Sequence, residues 1–317
     1  LVDFGRLKRT REGFCFRGAS GVSAEIPRSY ADQLAILEAR GLGVDDKVVA
    51  VHWLSHLNYY RFKLYASAFW QPGQSRYTEG SSFDDVLWIY HFDQVLRELV
   101  LSAIKCVEVS VRSRLAYEIG HRSGPQAHLD TCHFRHVDRC IEMLNGLRSE
   151  LRRSREDFLA PYKPSESIGN IPVWVAVEVA SFGVISKMLS GQASASLRQA
   201  VADTYEMDER VLCAAMHHLN VVRNTAAHHG RLWNRRFNIE LSLPRKKPAG
   251  LWIAFAHGDD RNKVYNTMVI LLHMIRAIDP SSSLPRRMRQ HMESLPATLR
   301  HHMGIPIGWE GLPTWRS

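Results

Sequence analysis

The stretch HHLNVVRNTAAHHGRLWNRR, His217 to Arg236, is where arginine, asparagine and histidine crowd together at helical spacing. Wound at roughly 100° per residue, His217, Asn220, Asn224, His228 and Arg231 fall within about 80° of one another. Val211, Ala215, Leu219, Val222 and Ala226 fall on the opposite side. The spacing predicts a helix with one face to bury and one that gathers amide, imidazole and guanidinium groups, with Arg223 on the flank of that stripe. Exposed helix faces usually carry Lys and Glu. The asparagines and histidines are therefore read as hydrogen-bonding groups, either of a functional site or of a buried polar network.

Outward from this helix, period and caps keep predicting helices. Ser29 caps one over residues 30–40 that Gly41 ends, and a second runs over 45–57. The segment after it, LNYYRFKLYASAFW, is aromatic and basic at once, and Tyr60 and Arg61 belong either to a core edge or to a surface that stacks bases. Residues 71–82 read as a loop and a domain boundary. A long amphipathic helix follows over 83–119, closed by Gly120, with Glu108 and Arg112 one turn apart as an ion pair. The helix over 137–155 carries Arg148, Arg152 and Arg153, either as a phosphate-contacting face or as a solvated one. Pro172 starts a helix that buries Trp174, Val177, Phe182 and Ile185. Glu178 on it is either the partner of a buried arginine or a tuned acid. A helix over 261–278 closes at Pro280, and FNIELSL (237–243) is the one strand-like run. The fold class expected is all-α.

The net charge of +9 favours a polyanionic partner, nucleic acid first. Five loosely spaced cysteines suit a reducing compartment. The cluster HLDTCHFRHVDRC (128–140) lacks a second ligand pair, so no metal site and no cofactor is expected. Residues 1–14 show no signal-peptide pattern, and no apolar run reaches the roughly 20 residues of a membrane span. The reading is a cytoplasmic chain with no membrane partner, its first 26 residues a loose basic arm.

Arg223-Asn224-Thr225-Ala226-Ala227-His228 matches the Arg, four to six residues, His signature of HEPN-domain ribonucleases. The longer string RNxxAHHxRLWNR, Arg223 to Arg235, resembles the Abi-2 (AbiD/AbiF-type) abortive infection family of bacteria. So do the NYYR segment, PVWxxxExxSFGxxS from Pro172, and the ending MGxPxxWxxxPxW from Met303. The resemblance implies a HEPN-like helical bundle over 81–280, an N-terminal basic arm and helical pair over 1–80, and a Pro/Trp strap over 281–317. It implies a metal-independent endoribonuclease of anti-phage defence, toxin-like, that leaves a 2′,3′-cyclic phosphate and is regulated by a bound structured non-coding RNA. Arg223, His228 and Asn224 would be catalytic, with His229, Glu108, Arg112 and Asn220 in support. Arg148, Arg152, Arg153, Arg231, Arg235, Tyr60 and Arg61 would hold RNA. One motif supplies one histidine, so a homodimer with a composite site is expected. The rival readings are a structured-RNA-binding protein without catalysis and a protein-interaction module.

Overall fold

The computed structural model describes residues 27–162, 170–239, 241 and 249–316. The basic arm over 1–26 and most of the Pro- and Lys-containing run over 241–248 lie outside the described residues. The fold is all-α. Helices α1 (Tyr30–Ala39), α2 (Lys47–His56) and α3 (Tyr59–Ala66) come first, and α4 spans Phe83–Ser123. Then follow α5 (Val137–Arg153), α6 (Val173–Val179), α7 (Phe182–Gly191), α8 (Ala195–Asp203) and α9 (Glu209–Ala227). Helices α10 (Ala249–Ala254), α11 (Val264–Ile278) and α12 (Leu284–Glu293) complete the set. Two two-residue strands, Trp70–Gln71 and Arg76–Tyr77, pair as a hairpin that starts one residue before the segment expected to be a loop and otherwise lies inside it.

Helix α4 is the axle. Its start is fixed by a capping box in which Ser82 and Asp85 bond each other's backbone amides, with Asp84 and Asp85 at the positive end of the dipole. Buried side chains lie around more than one of its faces, from Phe83 to Ile119, so it packs against α3, α6, α7, α8, α9, α11 and α12. It does not stop at Gly120 as the sequence suggested. It runs on to Ser123 and closes at Gly124, whose φ of +96° suits glycine. Gly120 has a packing role instead: a Cβ there would lie 3.4 Å from the Trp174 ring, which rests on the helix surface. Trp174 is accordingly 52% exposed rather than buried, while Val177, Phe182 and Ile185 do enter the core.

The buried apolar side chains form one continuous core from Leu34 to Trp315. Its C-terminal side is closed by α12 and a series of 3-10 turns that bring in Trp309 and Trp315, so the strap holds a regular helix of its own. The Trp315 indole donates to the Tyr265 hydroxyl at 3.0 Å and meets Trp309 edge to face at 4.7 Å. Of the strand-like run 237–243, the described residues 237–239 and 241 form no strand, and the Phe237 amide bonds the Asn262 carbonyl at 2.9 Å; the other residues of the run lie outside the described residues. Helix α11 begins at Val264, three residues later than its periodicity suggested.

Burial depresses the histidines of this core. His128, His218 and His302 are pushed down to about 4, and His273 and His291 are lowered as well. Folded, His128, His218 and His302 stay neutral down towards about 4, whereas unfolded imidazoles take up protons near 6.5. The unfolded chain therefore binds more protons as pH falls from 6.5 towards 4, and stability drops through that window. His218 alone accounts for about 3 kcal/mol by its lower end. The expected outcome is a melting temperature clearly lower at pH 5 than at pH 7, and equal values would count against it.

Candidate active site

The motif helix is shorter than its sequence period implied. α9 ends at Ala227, and His228 is its C-cap. His229 then turns into the left-handed region at φ 59°. Its amide bonds the Ala226 carbonyl at 3.0 Å, and the Gly230 amide bonds Thr225 at 2.7 Å. This pair is a Schellman ending. A Cβ on residue 230 would lie 2.8 Å from the Thr225 carbonyl oxygen, so only glycine fits. Arg231 therefore leaves the stripe. His217, Asn220 and Asn224 remain on the helix, with His228 at its tip, and the opposite face (Val211, Ala215, Leu219, Val222, Ala226) is buried as expected.

The ending is held from three sides. Arg61 of α3 donates to the His229 carbonyl at 2.6 Å, and Arg231 donates back to the Leu64 carbonyl of α3 at 2.5 Å. Beneath them lies Asp93 of α4, with no exposed surface. Its Oδ1 accepts the backbone amides of Leu232 at 3.1 Å and Trp233 at 2.7 Å. Its Oδ2 accepts the Tyr65 hydroxyl at 2.7 Å and the Arg97 guanidinium. Burial pushes the Asp93 carboxyl up, opposed by the Trp233 amide and Arg97. The NYYR segment and the RLW segment thus meet over one buried carboxylate. The sequence reading passed over Asp93, although Asp93 and Arg97 have the same one-turn spacing as Glu108 and Arg112.

The polar residues of the motif separate into two sets. His218 is buried: its Nδ1 donates to the Ile239 carbonyl at 2.9 Å, which leaves Nε2 to accept the Thr267 hydroxyl at 2.8 Å. Arg61, Arg231 and Asp93 are likewise tied into the fold. Asn224 and His228 are exposed and Arg223 is half-buried; Arg223 donates to the Asn224 side-chain oxygen at 3.1 Å. The His228 imidazole has no hydrogen-bond or ion-pair partner among the described residues. Asn220, half-buried, lies against Gly183 at the start of α7, where a Cβ would sit 3.5 Å from its amide. The His229 side chain is exposed, and its backbone does the structural work. Replacing His229 by glycine is expected to raise stability by up to about 1 kcal/mol, because the left-handed cost disappears while the carbonyl for Arg61 stays. A urea midpoint that falls instead would show the imidazole to be structural.

Glu108 and Arg112 do pair on α4. Arg112 also donates to the carbonyls of Glu178 at 2.8 Å and Ala180 at 2.7 Å, bracing the bend between α6 and α7. Glu178 offers this arginine only its backbone, and its side chain is exposed rather than paired in the interior. Arg148, Arg152 and Arg153 are exposed on α5, Arg235 is exposed with its guanidinium 5.8 Å from the Phe237 ring centre, and Tyr60 is 61% exposed. In the histidine- and cysteine-rich turn, His128 and Cys140 are buried and His136 is exposed, while Asp130, Cys132 and His133 bring one ligand atom each within 4.8 Å. No helix among the described residues is long and apolar enough to cross a membrane.

The structure is therefore that of an all-helical protein presenting Arg, Asn and His at the end of one buttressed helix. A family model described as Abi-like protein matches residues 52–234, from α2 to the RLW turn, and the chain belongs to that family. That membership points to abortive infection, a form of phage defence. No curated protein and no solved structure matches the chain.

Proposed function

We propose that the chain is a HEPN-type endoribonuclease of abortive infection that cuts RNA with Arg223, Asn224 and His228. The observation that supports this reading is the division of the motif's polar groups: His218 and Arg231 are bonded into the fold, whereas Asn224 and His228 are exposed and the half-buried Arg223 bonds only Asn224 among the described residues. An imidazole can take the proton from a ribose 2′-hydroxyl. The 2′-oxygen then attacks phosphorus, the bond to the 5′-oxygen breaks, and that oxygen leaves with a proton. The products are a 2′,3′-cyclic phosphate and a 5′-hydroxyl. Arg223 would hold the phosphate oxygens in its planar fork while charge develops, and Asn224 would orient the guanidinium it already touches. The mechanism proposed uses these side chains and a second acid–base group, and no metal.

One imidazole cannot be base and acid in the same step. The second group would come from another copy of the chain, giving a symmetric dimer with the two helix ends facing each other. The exposed arginines of α5, which packs on α7 and through it on α9, would hold a structured regulatory RNA.

Incubating the purified chain with end-labelled RNA tests this reading. Fragments ending in 2′,3′-cyclic phosphate, absent with Arg223→Ala, are the expected result. Intact RNA, or equal cutting by the variant, would sink it. Cutting by a chain that sediments only as a monomer would remove the dimer.

A further inference from the structure

Helix α3 has two working sides. One sends Arg61 to the motif turn. The other, carrying Tyr60 and Lys63, lines a groove of about 1440 Å³ bounded by α1, α2 and α3, to which Arg28, Tyr30 and Arg40 also contribute. Arg61 does not line it. We infer that this groove binds a single-stranded segment of RNA, at a place separate from Arg223 and His228.

Four features of the groove carry the inference. Its size exceeds the roughly 300–1,000 Å³ of a small-molecule pocket, which points to a polymer. Its charge is one-sided: Arg28, Arg40 and Lys63 face a single lining carboxylate, Asp32. That carboxylate is already engaged, accepting the Ser29 amide at 3.2 Å and hydroxyl at 2.7 Å in the cap of α1, and these bonds lower its pKa. Its walls present aromatic surface to water, with Tyr30 46% and Tyr60 61% exposed. Finally, the Lys63 ammonium stands 5.7 Å from the ring centres of both Tyr59 and Tyr60, which sets a cation beside a stacking platform. A strand whose bases stack on tyrosine and whose phosphates meet lysine and arginine suits this arrangement. A duplex does not, because its base faces are covered by their neighbours.

The inference stands apart from the proposed cleavage, and the test keeps the two separate. The full chain is titrated into a fluorescent 2′-O-methyl RNA of about 12 nucleotides, within the range that single-strand sites cover. Such an RNA cannot undergo 2′-hydroxyl attack, so anisotropy reads binding alone. Tyr60→Ala combined with Lys63→Ala is expected to weaken binding tenfold or more, and a duplex of the same sequence to bind more weakly than the strand. Both side chains lie at the groove surface, and an unchanged melting temperature confirms that the variant folds. A folded variant that loses less than tenfold, a parent that binds no strand, or a preference for duplex each overturns the inference. None of these outcomes bears on whether Arg223 and His228 cut RNA.

Discussion

Asp93→Ala is expected to destabilise the chain by about 3–5 kcal/mol, the range seen when one member of a buried ion pair is removed. The mechanism can be counted atom by atom. The substitution leaves the Arg97 guanidinium with only the Tyr65 oxygen at 3.4 Å, and it strands the Tyr65 hydroxyl proton and the amides of Leu232 and Trp233 in the interior. Each orphaned donor costs about 1–3 kcal/mol. A loss of this size is a large share of the 5–15 kcal/mol that usually separates folded from unfolded. Asp93→Asn should be milder, because its amide oxygen can still accept the two backbone amides, although its NH2 replaces the oxygen that accepted Arg97 and can only donate, to the Tyr65 oxygen. Chemical denaturation of the three proteins checks the order. A melting temperature for Asp93→Ala within a degree of the parent would mean that the turn is held by Arg61 and Arg231 without it.

His228→Ala is expected to reduce RNA cleavage by about 10²–10⁴-fold, the usual contribution of a positioned acid or base. Its stability should not change measurably, because the imidazole is exposed and bonds nothing among the described residues. The same activity loss in His229→Gly would move the role to the neighbouring imidazole. Arg223→Lys separates charge from shape: it keeps the cation but loses the two-pronged grip on phosphate, so activity should fall well below that of the parent. Full cleavage by His228→Ala, with product ends unchanged, would reject the assignment.

What could be read from the sequence follows a physical division. Features set by neighbours along the chain were legible. The Ser29 cap, the apolar face of α9 and the one-turn pair Glu108–Arg112 all depend on spacings of four residues or fewer. Features set by distant partners were not. Asp93 looks like any acid on a helix until residues 139 and 140 positions away bring their amides to it. Glu178 stands among apolar neighbours in the sequence, but the bend at Ala180 turns its side chain to water and leaves Arg112 the backbone. Gly120 reads as a stop when it is a seat for Trp174. Among the motif residues, the exposure of Asn224 and His228 and the half-buried place of Arg223 on the flank follow from helical period. The anchoring of Arg231 follows from where the helix ends, and that depends on a single glycine.

The length of α4 constrains change in the chain. At 1.5 Å per residue its 41 residues make a rod of about 60 Å. Asp93 near one end fixes the motif turn, and Arg112 further along fixes the joint of α6 and α7. Adding or deleting one residue between them would rotate these two fittings by about 100° relative to each other. Point substitutions at surface positions of this segment leave the fittings in phase, whereas changes of length do not. The span from Asp93 to Arg112 therefore acts as a ruler of fixed residue number.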